Sequence, residues 1–398
     1  MMLVRDIKID KKYLKELSDK YHKELLLREK KIWKETGEEF NINSPKQLSE
    51  VLFEKLGLGK RQNKKTSTGA KSTKESVLQK IKEEHPSIPL ILEYREFQKL
   101  LSTYIDSIPT LLDKNNRLHT QILQAGTTTG RMASSNPNVQ NIPIRTELGR
   151  NIRKAFIAEK GFRLVAFDYS QIELRIAAIL SEDEKLINTF KKGEDVHTAV
   201  ASYMFGVPLE KIDKNMRRSA KTINFGILYG MGVNALRSNL GTSRKEAQEF
   251  YNRYFSVFDG LTDFMENIKK EGSRKGYTET LFGRRRYIEG LNSKIPFIKA
   301  AAERMAINAP IQGTAADIIK IAMKNINDYL KEEKLKTKIF LTLQVHDELI
   351  YEIPNDLVEE VTPKIKEIME TVLSKKHSKG VVCKVNAVVG DNWDDMVE

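Results

Sequence analysis

The feature that most constrains the fold is an apolar stretch interrupted by acidic residues. Residues 339–353 read IFLTLQVHDELIYEI. Both flanks are apolar and β-prone, which predicts a buried hairpin over 338–353. Its centre holds His346, Asp347 and Glu348. Carboxylates at the tip of a buried hairpin are costly unless they are paired or bind metal, so this tip is a candidate functional site.

A second buried strand is predicted to end in a carboxylate. The stretch RLVAFDYS at 163–170 is apolar up to Asp168. Taken alone, Asp168 or Asp347 could simply be an aspartate in a salt bridge or a turn. Together on neighbouring strand ends, Asp168 and Asp347 can hold two divalent ions, an arrangement suited to phosphoryl transfer. Mg²⁺ fits this site because it takes few carboxylates plus substrate phosphates, and no histidine pair or cysteine cluster suggests zinc.

Composition narrows the class of partner. The 398-residue chain carries a formal net charge of +13, which indicates an acidic partner such as nucleic acid, an anionic membrane surface or polyphosphate. Its one cysteine, Cys383, excludes an intrachain disulfide and a cysteine-based zinc site. We find neither a secretory signal nor an apolar run of membrane-spanning length, so we expect a cytoplasmic chain with no membrane partner.

Periodicity predicts a mostly helical chain around these strands. Helices are expected at 10–36, 45–58, 88–107, 171–181, across most of 182–330, and at 355–377, with a last strand at 381–390. Ser44 is the expected cap before Pro45. The segment 59–80 has seven basic residues and one acidic residue, so it is either a solvated loop or a tip that grips phosphates.

One predicted helix presents a stripe of chemically distinct side chains. In MRRSAKTINFGILYG at 216–230, residues Arg217, Lys221, Phe225 and Tyr229 are four apart. Each step of four advances a helix by about 400° and about 6 Å, so the four side chains form a slowly turning stripe. The two cations can bind a polyphosphate, and the two aromatic rings can pack against a sugar and a base. An amphipathic helix with core aromatics and solvated cations explains the spacing equally well.

These segments resemble the motifs of a known family. DYSQIELR, RRSAKTINFGILYG and QVHDE look like motifs A, B and C of the family A DNA polymerases, the bacterial DNA polymerase I type, in the same order and spacing. Further segments are similar to patterns of that family: TTTGRMASSNPNVQNIP, LFGRRRYIEG and ERMAINAPIQGTAADIIK. The resemblance runs from about residue 8 to the end.

The resemblance implies a fold and a domain plan. We expect an α+β right-hand polymerase fold with an antiparallel-sheet palm, helical fingers and a helical thumb. The expected domains are a thumb at 1–107 with its basic tip at 59–80, a palm at 108–180 and 297–398 with the catalytic hairpin at 338–353, and fingers at 181–296. The thumb-like sequence begins within about ten residues of Met1, so we expect no proofreading exonuclease in this chain.

The resemblance also implies a reaction and its residues. The expected activity is DNA-templated extension of a primer 3′ end with dNTPs, which releases pyrophosphate and uses two Mg²⁺ ions that Mn²⁺ can replace. Asp168, Asp347 and the main-chain carbonyl of Tyr169 resemble the metal ligands, and Glu348 a supporting catalytic carboxylate. Lys221 resembles a catalytic group that protonates the pyrophosphate.

Substrate-binding residues follow from the same resemblance. The residues implied to bind the dNTP are Arg217 and Lys221 at the triphosphate, His197 at the phosphates, Phe225 at the deoxyribose, Tyr229 at the templating base, Glu173 as the gate against a ribose 2′-hydroxyl, and Gln171 as an edge support. Those implied to bind DNA are Arg131, Arg304, Asn308, Gln312 and His346, with Lys60, Arg61, Lys64 and Lys65 of the thumb tip.

Two other functions remain open at this point. A single-subunit phage-type RNA polymerase shares the palm, but Glu173 and the short chain argue against it. A catalytically inactive DNA-binding accessory relative is the alternative from another class, and retention of both metal aspartates argues against it. The expected partners are primer–template DNA and dNTPs, bound by a monomer.

Overall fold

The computed structural model describes residues 6–60 and 71–396. The α-helices of this part are, in chain order, α1 Lys11–Thr36, α2 Pro45–Ser49, α3 Glu75–Leu78, α4 Ser87–Leu100, α5 Glu147–Arg153, α6 Ile172–Ser181, α7 Glu184–Lys191, α8 Val196–Phe205, α9 Lys214–Leu228, α10 Val233–Leu240, α11 Arg244–Val257, α12 Asp259–Lys275, α13 Pro296–Glu332, α14 Val358–Glu370 and α15 Lys375–Ser378.

Shorter helical turns extend or connect these helices. Wider π-type turns lie at Glu50–Lys55 and Leu101–Ile105. Tighter 3₁₀ turns lie at Gln79–Ile81, Ile108–Leu111, Val139–Asn141, Leu209–Lys211, Asn355–Leu357 and Asp394–Met396. No described helix combines the length and the apolar character needed to cross a bilayer.

The strands form four small sheets. They are, in chain order, β1 Ile7–Ile9, β2 Arg117–Leu118, β3 Gln121–Leu123, β4 Ala133–Ser135, β5 Phe156–Ile157, β6 Phe162–Tyr169, β7 Tyr277–Glu279, β8 Arg285–Tyr287, β9 Phe340–Val345, β10 Glu348–Pro354 and β11 Val385–Gly390. The largest sheet has the order β11-β6-β10-β9, a second has β2-β1-β5, and the pairs β3-β4 and β7-β8 complete the set. The described chain is therefore α+β, as predicted.

The chain divides into two compact units. Over the described residues, the larger unit consists of Gln121–Ser135 and Lys160–Val389, and the smaller unit of Asp6–Thr120, Asn136–Glu159 and the segment from Gly390. The larger unit contains the four-stranded sheet and helices α6 to α15.

The smaller unit is organised by its first helix. The Asp10 side chain accepts the Tyr13 N–H at 2.9 Å and caps α1, and Gly37, at φ 79°, ends it. This confirms the helix predicted at 10–36. Ser44 accepts the Gln47 N–H and Pro45 is the first residue of α2, also as predicted. The core of this unit packs apolar side chains of α1 and α4 around those of the intervening turns, among them Ile32, Leu48, Leu52, Ile88 and Ile91.

The four-stranded sheet fixes the relative positions of the predicted carboxylates. The hairpin predicted at 338–353 is confirmed as β9 and β10, and the predicted strand 163–170 as β6. Strand β10 pairs antiparallel with β6, and Glu348 lies directly opposite Asp168. Since side chains alternate across a strand, Phe167 and Leu349 point into the main apolar core, and the two carboxylates belong to the opposite face.

The tip of this hairpin is a two-residue turn, His346–Asp347, between Val345 and Glu348. His346 has a φ of 54°, and its carbonyl accepts the Gln344 side-chain N–H at 2.6 Å. The carbonyl of Asp347 accepts the Tyr169 N–H at 3.3 Å. These bonds hold the turn against the end of β6.

The helix predicted at 355–377 is interrupted, so this prediction is wrong in part. After α14 ends at Glu370, the Thr371 hydroxyl donates to the Glu367 carbonyl, a local bond that competes with helix continuation. Ser374 then caps the separate short helix α15. The Glu370 side chain instead accepts the Val385 N–H at 2.9 Å and so binds the start of β11.

A buried aspartate joins the β7–β8 hairpin to the long helix α13. Asp317 accepts two bonds from Arg284, at 2.8 and 2.6 Å, and one from the Thr280 hydroxyl at 2.8 Å. Gly313 lies against the same threonine, where an added Cβ would be 2.5 Å from its methyl group. Hydrogen bonds to Asp317 therefore join the hairpin to α13, and the Leu281 N–H adds one to the Thr314 hydroxyl at 3.0 Å.

We expect Asp317→Ala to lower the free energy of unfolding by about 2 kcal/mol, because charge-assisted bonds at a buried site are lost. Chemical denaturation with a matched control, Asp328→Ala, measures this. Asp328 lies on the same helix but pairs with Lys324 at the surface, so its removal should change stability little. Equal effects of the two substitutions would contradict this account of the network.

Candidate active site

Three acidic residues lie at the hairpin tip or on the strand end beside it. Asp168 and Glu348 face each other across β6 and β10, and both are partly exposed. Burial raises the pKa of Asp347 above its ordinary value, although a backbone hydrogen bond and the charge of Arg131 oppose this. The Tyr169 side chain points away, since its hydroxyl donates to the Met369 carbonyl at 2.7 Å in the core. Tyr169 therefore offers only main-chain atoms to the tip.

The donor set at the tip is small and oxygen-only. In residues 6–60 and 71–396, no group of three or more histidine, cysteine, aspartate or glutamate side chains is arranged to hold a metal ion by itself. Carboxylate oxygens at a partly exposed edge suit Mg²⁺, which completes its shell with water and substrate oxygens. They do not suit a closed structural zinc site.

A second cluster is centred on Glu173 in the first turn of α6. The glutamate is only 7% exposed. Arg131 Nη2 donates to one carboxylate oxygen at 2.5 Å, and the Tyr229 hydroxyl donates to the other. Burial, followed by the charge of Glu173, raises the pKa of Tyr229 well above its usual range, so this hydroxyl keeps its proton. The charge of Asp347 acts in the same direction, which places the hairpin tip within electrostatic reach of this cluster.

The loop that carries Arg131 is closely packed. The Thr127 hydroxyl donates to the Arg131 carbonyl at 2.8 Å and closes the loop. Gly130, at φ 82°, lies against Arg284, and a Cβ there would be 2.6 Å from Arg284 Nε. Only glycine combines this φ with this space. The Arg284 side chain, paired with Asp317, thus packs against the loop at Gly130. The loop in turn holds Arg131 within hydrogen-bond distance of Glu173.

Helix α9 presents the predicted stripe. Arg217 and Lys221 are exposed, Phe225 is half-buried, and Tyr229 directly follows the helix with 39% of its surface exposed. The stripe is thus neither a plain core face nor a fully solvated one. Its cations face solvent at one end, and Tyr229 reaches the Glu173 cluster at the other.

His197 is a buried, neutral histidine beside this stripe. It is 2% exposed, and its ring centroid lies 5.6 Å from that of Phe225. Burial lowers the pKa of His197 to about 4; the charge of Asp195 opposes the shift, and those of Lys221 and Arg217 add to it. Asn224 Nδ2 lies 3.1 Å from His197 Nδ1 and donates to it, which leaves the ring proton on Nε2.

This burial predicts a loss of stability in acid. The native His197 pKa is about 4 and the unfolded value about 6.5, so only the unfolded chain binds a proton between them. Stability from this group is complete above pH 6.5 and falls by about 3 kcal/mol as the pH drops towards 4. Denaturation at pH 7 and pH 4.5 should show a smaller difference for His197→Gln than for the native chain. An equal difference in both would contradict a buried neutral imidazole.

Asp195, which the sequence did not single out, joins helix α8 to Arg217. It caps α8 by accepting the Thr198 N–H at 2.8 Å, and it accepts Arg217 Nε and Nη2 at 3.0 and 2.8 Å. Partial burial raises the pKa of Asp195, but bonds from Arg217 and Thr198 outweigh it and lower the pKa to about 2. The carboxylate is therefore ionised at neutral pH.

The remaining predicted residues of the larger unit lie on α13, α6 and the hairpin turn. Arg304, Asn308 and Gln312 recur every four residues on α13, with Arg304 exposed and the other two half-buried. Gly230, at φ 70°, lies against Arg304, and a Cβ there would be 2.2 Å from its Cγ. Arg304 is thus adjacent to the end of the α9 stripe. Gln171 precedes α6 at a φ of 54° and His346 is exposed in the turn.

One of the four predicted DNA-binding residues of the thumb tip lies within the described part of the chain. Lys60 is exposed in the smaller unit. Arg61, Lys64 and Lys65 lie outside the described residues.

The comparisons with known proteins identify the family. Residues 11–395 match the model of DNA polymerase family A, and the chain belongs to that family. It is similar to the thermostable DNA polymerase I of Thermus aquaticus, with 47% identity over 388 residues that cover 97% of this chain and 46% of the relative. It is 47% identical to DNA polymerase I of Pseudomonas aeruginosa over 92% of this chain and 40% of the relative. The chain thus spans under half the length of these relatives.

A solved structure supports the predicted polymerase fold. The POL domain of Pol1 from M. smegmatis, in complex with DNA primer-template and dNTP, superposes with a TM-score of 0.91 at 37% identity. The match covers 99% of this chain and 68% of the other. The right-hand polymerase fold expected from the sequence is therefore confirmed.

Proposed function

We propose that this chain is a DNA-directed DNA polymerase that extends a primer 3′ end with dNTPs. The observation that carries this proposal is the opposition of Asp168 and Glu348 on paired strands beside Asp347, in a member of DNA polymerase family A. In the reaction, the primer O3′–Pα bond forms and the bond between Pα and the bridging oxygen breaks. The hydroxyl proton is lost and pyrophosphate leaves.

Asp168 and Asp347 are the proposed ligands of two Mg²⁺ ions, with the main-chain carbonyl of Tyr169 and support from Glu348. The residues fit these ions because their donors are all oxygen, and because burial raises the pKa of Asp347, a penalty that a nearby cation would relieve. When bound, the ions would lower the pKa of the primer hydroxyl and stabilise charge on the leaving oxygen. Mn²⁺ is expected to substitute.

The cationic end of α9 is the proposed triphosphate site. Arg217 and Lys221 project from successive turns into solvent, where a polyphosphate can meet both. His197, neutral and with its proton on Nε2, can add an uncharged donor to the phosphates. Lys221 is also the proposed source of the proton that the leaving pyrophosphate takes up.

The Glu173 cluster is the proposed selector for deoxyribose. Phe225 would pack against the sugar, while Glu173, held by Arg131 and Tyr229, would form a wall at the 2′ position. Tyr229 would also cover the templating base. Gln171, two residues before Glu173, supports this edge.

Primer–template DNA is the proposed second substrate. Arg131, Arg304, Asn308 and Gln312 can donate to minor-groove acceptors, which all correct base pairs share. His346 would lie beside the primer end, and Lys60 would contact phosphates in the thumb. We propose the thumb at 1–107, the palm at 108–180 and 297–398, and the fingers at 181–296. Binding should weaken steeply with salt, as for any phosphate-dominated contact.

Single-nucleotide incorporation tests templated synthesis. A labelled primer is offered four templates that differ only in the next base, with one dNTP at a time and Mg²⁺. Addition of only the complementary dNTP on each template supports the proposal. Addition that ignores the template, or DNA binding with no addition, refutes it.

A further inference from the structure

The side chain of Arg217 is held by the carboxylate of Asp195, which is not among the substrate-binding residues proposed above. Asp195 accepts Arg217 Nε at 3.0 Å and Nη2 at 2.8 Å, one bond to each carboxylate oxygen. This is the side-on, two-bond geometry in which a guanidinium loses most of its freedom of orientation. The pair joins the N-terminus of α8 to the second turn of α9.

Asp195 is the fixed partner of this pair. Its Oδ1 accepts both the main-chain N–H and the hydroxyl of Thr198, at 2.8 and 2.7 Å. These bonds tie the carboxylate to the α8 N-terminus, whose positive dipole end also favours its charge. Arg217, by contrast, is an exposed side chain with a long flexible stem. The carboxylate therefore determines where the guanidinium lies.

The side-on contact leaves the outer edge of the guanidinium available. Asp195 takes the Nε–Nη2 edge, and no residue of the described chain accepts a hydrogen bond from Arg217 Nη1. That outer edge, Nη1 with the second N–H of Nη2, can donate to two oxygens of a phosphate. Lys221 projects one turn further along the same helix. The outer edge of Arg217 and the ammonium of Lys221 thus face the same solvent side.

We propose that Asp195 is a positioning residue for nucleotide binding: it orients Arg217 so that its outer edge receives the terminal phosphates of the incoming nucleotide. This inference rests on the proposed function of Arg217. Asp195 itself does not touch the substrate. Without Asp195, the long arginine side chain must be ordered at the moment of binding, and affinity falls.

The test compares Asp195→Asn with Asp213→Asn. Asparagine caps a helix as well as aspartate does, so Asp195→Asn keeps α8 but removes the charge and one fork acceptor. The Asp213 side chain caps α9, the helix of Arg217, by accepting the Asn215 and Met216 N–H groups. Its bond with Arg217 joins main-chain atoms only, at 3.0 Å, and the substitution leaves those atoms in place. We expect Asp195→Asn to raise the dNTP Kd about fivefold with an unchanged maximal rate, and Asp213→Asn to alter neither.

A double-mutant cycle with Arg217→Lys shows whether Asp195 acts through Arg217. Lysine cannot donate the two parallel hydrogen bonds of the side-on contact, so adding Asp195→Asn to Arg217→Lys should weaken binding no further. Fully additive losses, unchanged affinity in Asp195→Asn, or tighter binding would each overturn the proposal.

Inorganic tripolyphosphate separates this inference from the proposed function. Its binding to the protein in Mg²⁺, measured by calorimetry, needs neither primer extension nor a base. We expect the same fivefold loss in Asp195→Asn. A loss of tripolyphosphate affinity in a chain that extends no primer would refute the polymerase activity and keep the role of Asp195. Extension with unchanged tripolyphosphate affinity in the variant, or no tripolyphosphate binding by the native chain, would overturn the role of Asp195.

Discussion

Asp347→Ala is expected to lower the single-turnover rate of primer extension by at least about a thousandfold. Loss of a ligand that helps to place a catalytic metal removes several kcal/mol of transition-state stabilisation, and each 1.4 kcal/mol is a factor of ten. Because Asp347 lies in the turn between β9 and β10 and outside the apolar core, the fold and DNA binding should be retained. Rapid-quench kinetics and fluorescence anisotropy of labelled primer–template measure the two properties separately.

Asp356→Ala is the matched control for this experiment. Asp356 is an exposed aspartate just beyond the other end of β10, far along the strand from the tip. Its removal should leave the rate unchanged. Extension at the native rate by Asp347→Ala would show that the carboxylates at the hairpin tip are not the metal site.

Glu173→Ala is expected to raise the relative efficiency of ribonucleotide incorporation by about a hundredfold. The buried carboxylate is held on both sides, by Arg131 and by the Tyr229 hydroxyl, so it forms a fixed wall where a 2′-hydroxyl would lie. Removing a rigid wall against one extra hydroxyl changes discrimination by this order. The ratio of kcat/KM for an rNTP and its dNTP is the measurement.

Two further variants locate the source of this selectivity. Tyr229→Phe removes one bond to the carboxylate but keeps the wall, so it should relax selection less than Glu173→Ala. Glu184→Ala, which removes an exposed glutamate from the next helix, should leave the ratio unchanged. If Glu173→Ala excluded ribonucleotides as well as the native chain does, the assignment of Glu173 to the sugar would be wrong.

The elements of the site could be predicted because their signals are local. The alternation of 339–353 and the apolar run before Asp168 specify two strands with carboxylates at their ends. The four-residue spacing on α9 specifies which side chains share a face. The resemblance to family A added the assignment of roles. The register of β10 against β6, which places Glu348 opposite Asp168, is consistent with these signals. The bulge in β9 near Thr342, where β9 pairs with β10, was not revealed by the sequence.

The supporting contacts could not be predicted, because each joins residues that are distant in sequence. Asp195 carries a local signal, since an aspartate three residues before Thr198 is a recognisable helix cap. Its pairing with Arg217, 22 positions later, depends on how α8 packs against α9. The same holds for Asp317 with Arg284, and for Asn224 with His197. The break after Glu370 was missed because periodicity continues across it.

The most direct test of the account is primer extension by the native chain on a labelled primer–template, with all four dNTPs, in Mg²⁺ and in EDTA. We predict full-length product in Mg²⁺, none in EDTA, and recovery with Mn²⁺. Stable primer–template binding without extension in either metal would contradict this prediction, and would make the chain a DNA-binding relative that has lost catalysis.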